Sequence, residues 1–218
     1  MNSTINTEYI SLGSNCSVAY HLHKNNLRKN GYPFDWSKST LTQLLSSLQD
    51  NCLKYTNTLE ISNFSNSHPY IKIYGSDKNL FSQIGTYKCK NVYGITMSHE
   101  LVKKNDFTTL KEKLDSRIKR LYSLKDNNSI DNIIFIRVET KIIPESYKKN
   151  IDILMNYLHN ISGSKEFKLK LVLHNKNKNM NDILQEYIYN NSLEIIFYNN
   201  FSPDWKMEMV NWNNILEI

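Results

Sequence analysis

Ile133-Ile134-Phe135-Ile136-Arg137-Val138 is an apolar run interrupted by a single arginine. A strand with one wet face alternates apolar and polar residues; a strand buried on both faces does not. The run therefore predicts a central strand covered on both sides. The chain around it supplies the cover. Residues 107–124 carry Leu110, Leu114, Ile118 and Leu121 at helical spacing, with Lys111, Glu112, Lys113, Asp115 and Lys119 mostly on the other face. Pro144 opens a further helix, with Ile151, Leu154, Met155 and Leu158 turned inward. Residues 167–174 read as the next strand, 180–189 as a helix and 193–198 as a last strand. The tail, with Trp205 and Trp212, closes as a short helix. This alternation predicts an α/β fold with a mostly parallel central sheet and helices on both faces.

The N-terminal third extends the pattern. Residues 9–12 alternate as a strand, and Gly13 breaks them. Ser14 or Asn15 can cap a helix carrying Val18, Ala19, Leu22 and Leu27, which we expect to stop near Asn30-Gly31. Tyr32-Pro33-Phe34-Asp35-Trp36 forms an aromatic turn, and residues 37–48 read as a second helix with Leu41, Leu44, Leu45 and Leu48 on one side. Residues 51–93 depart from the rhythm, with short pieces such as Tyr70-Ile71-Lys72-Ile73-Tyr74 set between Asn, Ser, Gly and Pro. We expect one α/β domain over residues 1–218 with a strand or hairpin insertion at about 51–93, placed to form a small subdomain or a substrate-contacting flap.

Composition excludes several classes. The chain is 40% hydrophobic and 22% charged, which is globular rather than disordered. Its net charge of +6 is mostly lysine scattered among acids, without a basic tract or a Cys/His finger, which argues against nucleic acid as a partner. Cys16, Cys52 and Cys89 are odd in number and far apart, with no Cys-x-x-Cys. That spacing offers neither a metal site nor a disulfide framework, and no cofactor is implied. The start of the chain lacks the apolar core of a signal peptide, and no apolar run approaches a membrane span. The expectation is a cytoplasmic protein in a reducing compartment with no membrane partner. Nothing in the pattern speaks to oligomeric state.

Cys16 is the residue on which chemistry is expected to centre. It lies just inside a predicted helix N-terminus, where free amides and the helix dipole favour an anion and lower a thiol's pKa. The same amides, Ser14 and the Asn15 side chain are candidates to hold an oxyanion. The competing reading is an inert buried cysteine packing the first strand-helix junction. A nucleophilic thiol needs a base. His99, following a predicted strand, is one candidate and His174, at the end of another, is the alternative. Asp35 can orient a histidine or satisfy its own turn, while Trp36 can line a pocket or fill the core. Arg137, on a buried strand, requires either an anionic ligand or a carboxylate such as Glu139 or Asp35.

These residues also carry a family likeness. Ser11-Leu12-Gly13-Ser14-Asn15-Cys16, then Ala19, Leu22, Leu27 and Arg28, then Pro33-Phe34-Asp35-Trp36 resembles the opening signature of a family described as papain-like cysteine peptidases, found in bacteria and large DNA viruses. Ser98-His99-Glu100-Leu101, the helix with Lys113, Arg117 and Arg120, the strand ending in Arg137, and residues 212–216 continue it. Glu100-Leu101 stands where that family usually has Asp-Phe. The resemblance implies Cys16 as nucleophile, His99 as general base and Asp35 as third member, and it offers an α+β papain-like fold as the alternative to parallel α/β.

The leading functional expectation is a cysteine-dependent hydrolase or acyl transferase acting on a peptide, protein or other acyl substrate. Three alternatives stand beside it. One is a non-catalytic α/β module recognising an anionic ligand at the Gly13–Cys16 turn. Another is an esterase-like hydrolase using Ser11 or Ser14. The third is a host-directed interaction protein that keeps the fold without turnover.

Overall fold

The computed structural model describes residues 5–65, 70–71, 81–82, 86–101, 106–140, 145–199 and 206–218. In chain order the elements begin with β1 (Thr7–Ser11), α1 (Ser17–Lys24), β2 (Ser37–Lys38) and α2 (Leu41–Gln49). Next come β3 (Glu60–Ser65), β4 (Tyr70–Ile71), β5 (Phe81–Ser82), β6 (Thr86–Lys90), β7 (Thr96–Leu101) and α3 (Phe107–Tyr122). The C-terminal half contains β8 (Asn132–Glu139), α4 (Tyr147–Ser162), β9 (Glu166–His174), α5 (Met180–Ile183), α6 (Gln185–Tyr189), β10 (Leu193–Tyr198) and α7 (Trp212–Leu216).

The fold is α/β. Strands β1, β8, β9 and β10 form one sheet in that order, and every pairing in it is parallel. Successive side chains of a strand point to opposite faces, so the register decides what each layer buries. Ile10, Phe135, Leu169 and Leu193 are in register across the four strands. They face a core that includes Leu44 and Leu48 of α2, Leu114 of α3 and Leu154 and Leu158 of α4. Ile134, Ile136, Val138 and Val172 face the other way, into Val18 and Leu22 of α1 and Trp212, Ile215 and Leu216 of α7. The apolar run is therefore continuous because both faces are covered, each fully buried side chain contributing about 1.5–3 kcal/mol.

Lys170 interrupts the second layer and is fully buried. Its ammonium donates to the Ile215 carbonyl (2.9 Å) and pairs with Glu217 (2.6 Å) and Glu194 (3.5 Å). A cation suits a helix C-terminus, where unpaired carbonyls gather, and here it ties α7 to the sheet.

A second sheet, ordered β2-β7-β6-β3, is antiparallel throughout, and β4 and β5 pair separately. Its strands β3 and β6 come from the 51–93 segment, while β2 and β7 flank it. Ser37 and Lys38 pair with Met97 and Thr96, so they are strand and not the start of a helix. The following helix begins at Leu41, after an extended Thr40 whose side chain accepts from the Gln43 amide while the Gln43 side chain returns to the Thr40 amide. This capping box fixes the start more firmly than the leucine spacing does.

Other boundaries also shift. The helix expected to run to Asn30 ends at Lys24, because Asn26 turns left-handed (φ 58°) and the amides of Leu27 and Arg28 both return to the Leu22 carbonyl. Residues 180–189 split into two short helices at Leu184. Lys72-Ile73-Tyr74, Pro144 and Trp205 lie outside the described residues. No helix among the described residues is long and apolar enough to cross a membrane.

Candidate active site

The first parallel strand ends in a turn that only certain residues can make. Gly13 (φ 75°) and Ser14 (φ 74°) are both left-handed. A Cβ on Gly13 would lie 2.9 Å from Ser39 Oγ and 3.0 Å from Ser37 Oγ, so glycine is required twice, by conformation and by space. The Ser14 amide donates to Ser39 Oγ (3.3 Å) and the Gly13 amide to Ser11 Oγ (3.3 Å).

Cys16 follows at the N-cap of α1. The local capping is done by Asn15 rather than Ser14, since Asn15 Oδ1 accepts from the Ser17 amide (3.0 Å) and from the Ser17 hydroxyl. Its Nδ2 donates to Met207 Sδ (3.3 Å). Among the described residues the amides of Cys16, Val18 and Ala19 find no acceptor, which leaves α1 with donors in its first turn.

Cys16 is 1% exposed and packs in one buried cluster with Ala19, Tyr20 and Trp36. Burial pushes its thiol up to about 12, with the charge of Lys38 opposing the rise and those of Glu100 and Asp35 adding to it. This runs against the lowering expected of a helix terminus, and desolvation of the thiolate is its largest cause. Burial likewise raises Cys52 to about 12 and Cys89 to about 11.

Trp36 (φ 57°) links this cluster to the second sheet. Its ring meets the His99 ring edge-on, with centroids 6.1 Å apart. His99 is buried within β7 itself and not at a strand-helix junction. Short strand β2 explains the approach: it continues from Trp36 and pairs with Met97, two residues from His99.

Asp35 is 2% exposed, and its Oδ2 accepts from Arg28 Nε (2.9 Å), Arg28 Nη2 (2.8 Å) and the Tyr32 amide (3.0 Å). These bonds hold the aromatic turn closed against the chain leaving α1. Glu100, beside His99, is also buried and pairs with Arg117 Nη1 (2.7 Å) and with Lys113. Burial would raise the Glu100 carboxyl, yet the charges of Arg117 and Lys113 hold it down at about 2.

Arg137 has no exposed surface. It donates to the Leu12 carbonyl (2.9 Å), the Ser39 carbonyl (3.0 Å) and Ser39 Oγ (3.5 Å), and pairs with Glu139 (2.6 Å). Its guanidinium is committed to protein groups, so of the two partners open to Arg137, an anionic ligand or a carboxylate, the fold supplies the carboxylate of Glu139. His174 ends β9, two strands from β1, with Nδ1 accepting from the Lys176 amide (3.2 Å) and its ring against Tyr198. Neighbouring strands are about 4.8 Å apart, which puts β9 roughly 10 Å from the strand that leads to Cys16. The structure therefore gathers Cys16, Trp36, His99, Asn15 and Asp35 at one junction and leaves His174 elsewhere.

Sequence reasoning missed Lys38, Ser39 and the ion pairs of Glu100. Lys38 and Ser39 carried no signal beyond a polar stretch, and Glu100 registered only as a departure from a motif. Two cavities, of about 490 Å³ beside Thr56 and Phe107 and about 240 Å³ beside His21 and Trp212, are lined by neither Cys16 nor His99. Among the described residues no group of His, Cys, Asp and Glu is arranged to hold a metal ion.

The family model described as "Putative papain-like cysteine peptidase" matches residues 7–177. The chain belongs to that family. The matched stretch takes in the first three parallel strands and the antiparallel sheet, so Cys16, Trp36, His99 and Arg137 all lie inside it, while β10 and α7 lie beyond. An uncharacterised protein of Acanthamoeba polyphaga mimivirus is 30% identical over 226 residues, covering 96% of this chain and 97% of its own length. No solved structure matches the chain.

Proposed function

We propose that this family member is a cysteine hydrolase in which Cys16 attacks the carbonyl carbon of a peptide, isopeptide or thioester and His99 moves the proton. The observation that carries the reading is Trp36, which packs in one cluster with Cys16 and meets the His99 ring edge-on. His99 takes the thiol proton as the sulfur bonds to carbon, and the oxyanion falls to the amides opening α1. Collapse breaks the bond to the leaving amine or thiol, which receives the proton from His99. Water then cleaves the acyl-thioester by the same route.

The high thiol pKa sets a condition on this chemistry. Burial pushes the thiol up to about 12, so the neutral thiol predominates at pH 7. Under the proposal His99 removes the proton as the sulfur attacks. The three free cysteines support action in a reducing, cytoplasmic setting.

One observation favours a second reading, a family member without turnover: Cys16 is 1% exposed. Hydrolysis of a panel of peptide, isopeptide and thioester substrates separates the two. Under the proposal Cys16→Ala and His99→Gln both abolish cleavage, while Cys52→Ser and Cys89→Ser retain it. Cleavage that survives Cys16→Ala rejects the thiol mechanism.

A further inference from the structure

Cys16 follows β1 of the parallel sheet, and His99 belongs to β7 of the antiparallel sheet. Their relation therefore depends on the joint between the sheets. That joint contains a fully buried cation. Arg137, on the central strand β8, reaches in two directions from one guanidinium. Nη1 donates to the Leu12 carbonyl, immediately before the Gly13 turn. Nη2 donates to the Ser39 carbonyl, immediately after β2, while Nη1 also meets Ser39 Oγ.

Ser39 completes the connection from the other side. Its hydroxyl accepts from the Ser14 amide and lies over the Cα of Gly13. Ser39 adjoins Lys38, whose strand pairs with β7. A continuous set of bonds thus runs from the turn preceding the nucleophile, through Ser39 and Arg137, to the strand carrying the base. Glu139 balances the charge. A planar fork of fixed geometry can hold two carbonyls at a set separation; a lysine ammonium in its place cannot.

We propose that Arg137 is a positioning residue, which with Ser39 fastens the two sheets together and so sets the placement of Cys16 against His99. This rests on the Cys16–His99 reading above. It predicts that loosening the joint separates thiol from imidazole without removing either, and a displacement of about 1 Å costs on the order of 100-fold in rate.

The test is the pH–rate profile of Cys16 alkylation by iodoacetamide, in protein whose Cys52 and Cys89 are replaced by serine. It is measured on wild-type Arg137 and on Arg137→Lys, Ser39→Ala and His99→Gln, with circular dichroism confirming the fold. A thiol assisted by imidazole reacts at neutral pH; a thiol alone reacts only as its own high pKa is approached. We expect Arg137→Lys to lose about 100-fold at pH 7 and to take on the His99→Gln profile, with Ser39→Ala moving the same way by less. If Arg137→Lys does not fold, Ser39→Ala decides. A folded variant that keeps the wild-type profile while His99→Gln changes it overturns the positioning role alone. A His99→Gln profile equal to that of wild-type Arg137 overturns the Cys16–His99 reading and the positioning role with it.

Discussion

Replacing Gly13 by alanine tests whether the turn before Cys16 is as constrained as its geometry implies. Three effects compete. Alanine in a left-handed conformation costs about 1–2 kcal/mol, and Gly13 has φ 75°. The new Cβ meets Ser39 Oγ at 2.9 Å and Ser37 Oγ at 3.0 Å. Neither hydroxyl can retreat freely, since Ser37 Oγ donates to the Phe34 carbonyl at 2.7 Å and Ser39 Oγ accepts from Ser14. Losing one such bond adds about 1 kcal/mol. Against this, alanine narrows the unfolded ensemble by about 0.4–1 kcal/mol. The net is a loss of about 2 kcal/mol, which for a chain of this length lowers the midpoint by about 4–8 °C. The neighbour supplies the control with the opposite sign. Ser14 is also left-handed (φ 74°), so Ser14→Gly relieves strain and leaves stability unchanged or raised by up to about 1 kcal/mol. Thermal unfolding followed by tryptophan fluorescence reads both. A wild-type midpoint for Gly13→Ala, or equal losses for the two variants, refutes the reasoning.

Glu100 makes stability acid-sensitive. Its folded pKa of about 2 lies below the ordinary 4.5, so its contribution of about 3 kcal/mol is complete above pH 4.5 and is lost as pH falls towards 2. Glu100→Gln is expected to be less stable than wild type at pH 7 and to converge with it near pH 2 in urea titrations across that range. Thr40→Ala removes half of the capping box of α2 and should cost about 1 kcal/mol by the same unfolding assay. Lys170→Met keeps the buried volume but loses the bonds to Ile215 and Glu217, so hydrogen exchange of the α7 amides should accelerate while those of β8 stay protected.

The layered core was legible because its signals are periodic. Ile133–Val138 announced a strand covered twice, and the leucines of α2, α3 and α4 announced their inner faces. The second sheet was less so. Ser37-Lys38 is too short to show a period, and its strand identity comes from pairing with Thr96 and Met97, which lie beyond α2 and β6 in the chain. The Thr40–Gln43 cap was present in the letters, but the preceding serine and lysine blurred where it began.

The proposed site was suggested by the sequence through position and likeness, which singled out Cys16 and His99, but its electrostatics were not. The state of the thiol depends on what buries it, and Trp36, Tyr20 and the distant charges of Glu100 and Lys38 meet only in the folded chain. Arg137 illustrates the same limit: a lone arginine on an apolar strand signals a buried partner, but only the fold shows that the partners are Leu12, Ser39 and Glu139.

The central claim, that Cys16 is the nucleophile and His99 its base, is tested most directly by mapping where an electrophilic acyl probe bonds in the native protein. Intact mass and peptide sequencing should place one adduct on Cys16 at neutral pH, with Cys52 and Cys89 unmodified and the adduct lost in His99→Gln. A native protein that leaves Cys16 unmodified until it is unfolded, or that labels Cys16 equally without His99, contradicts the account.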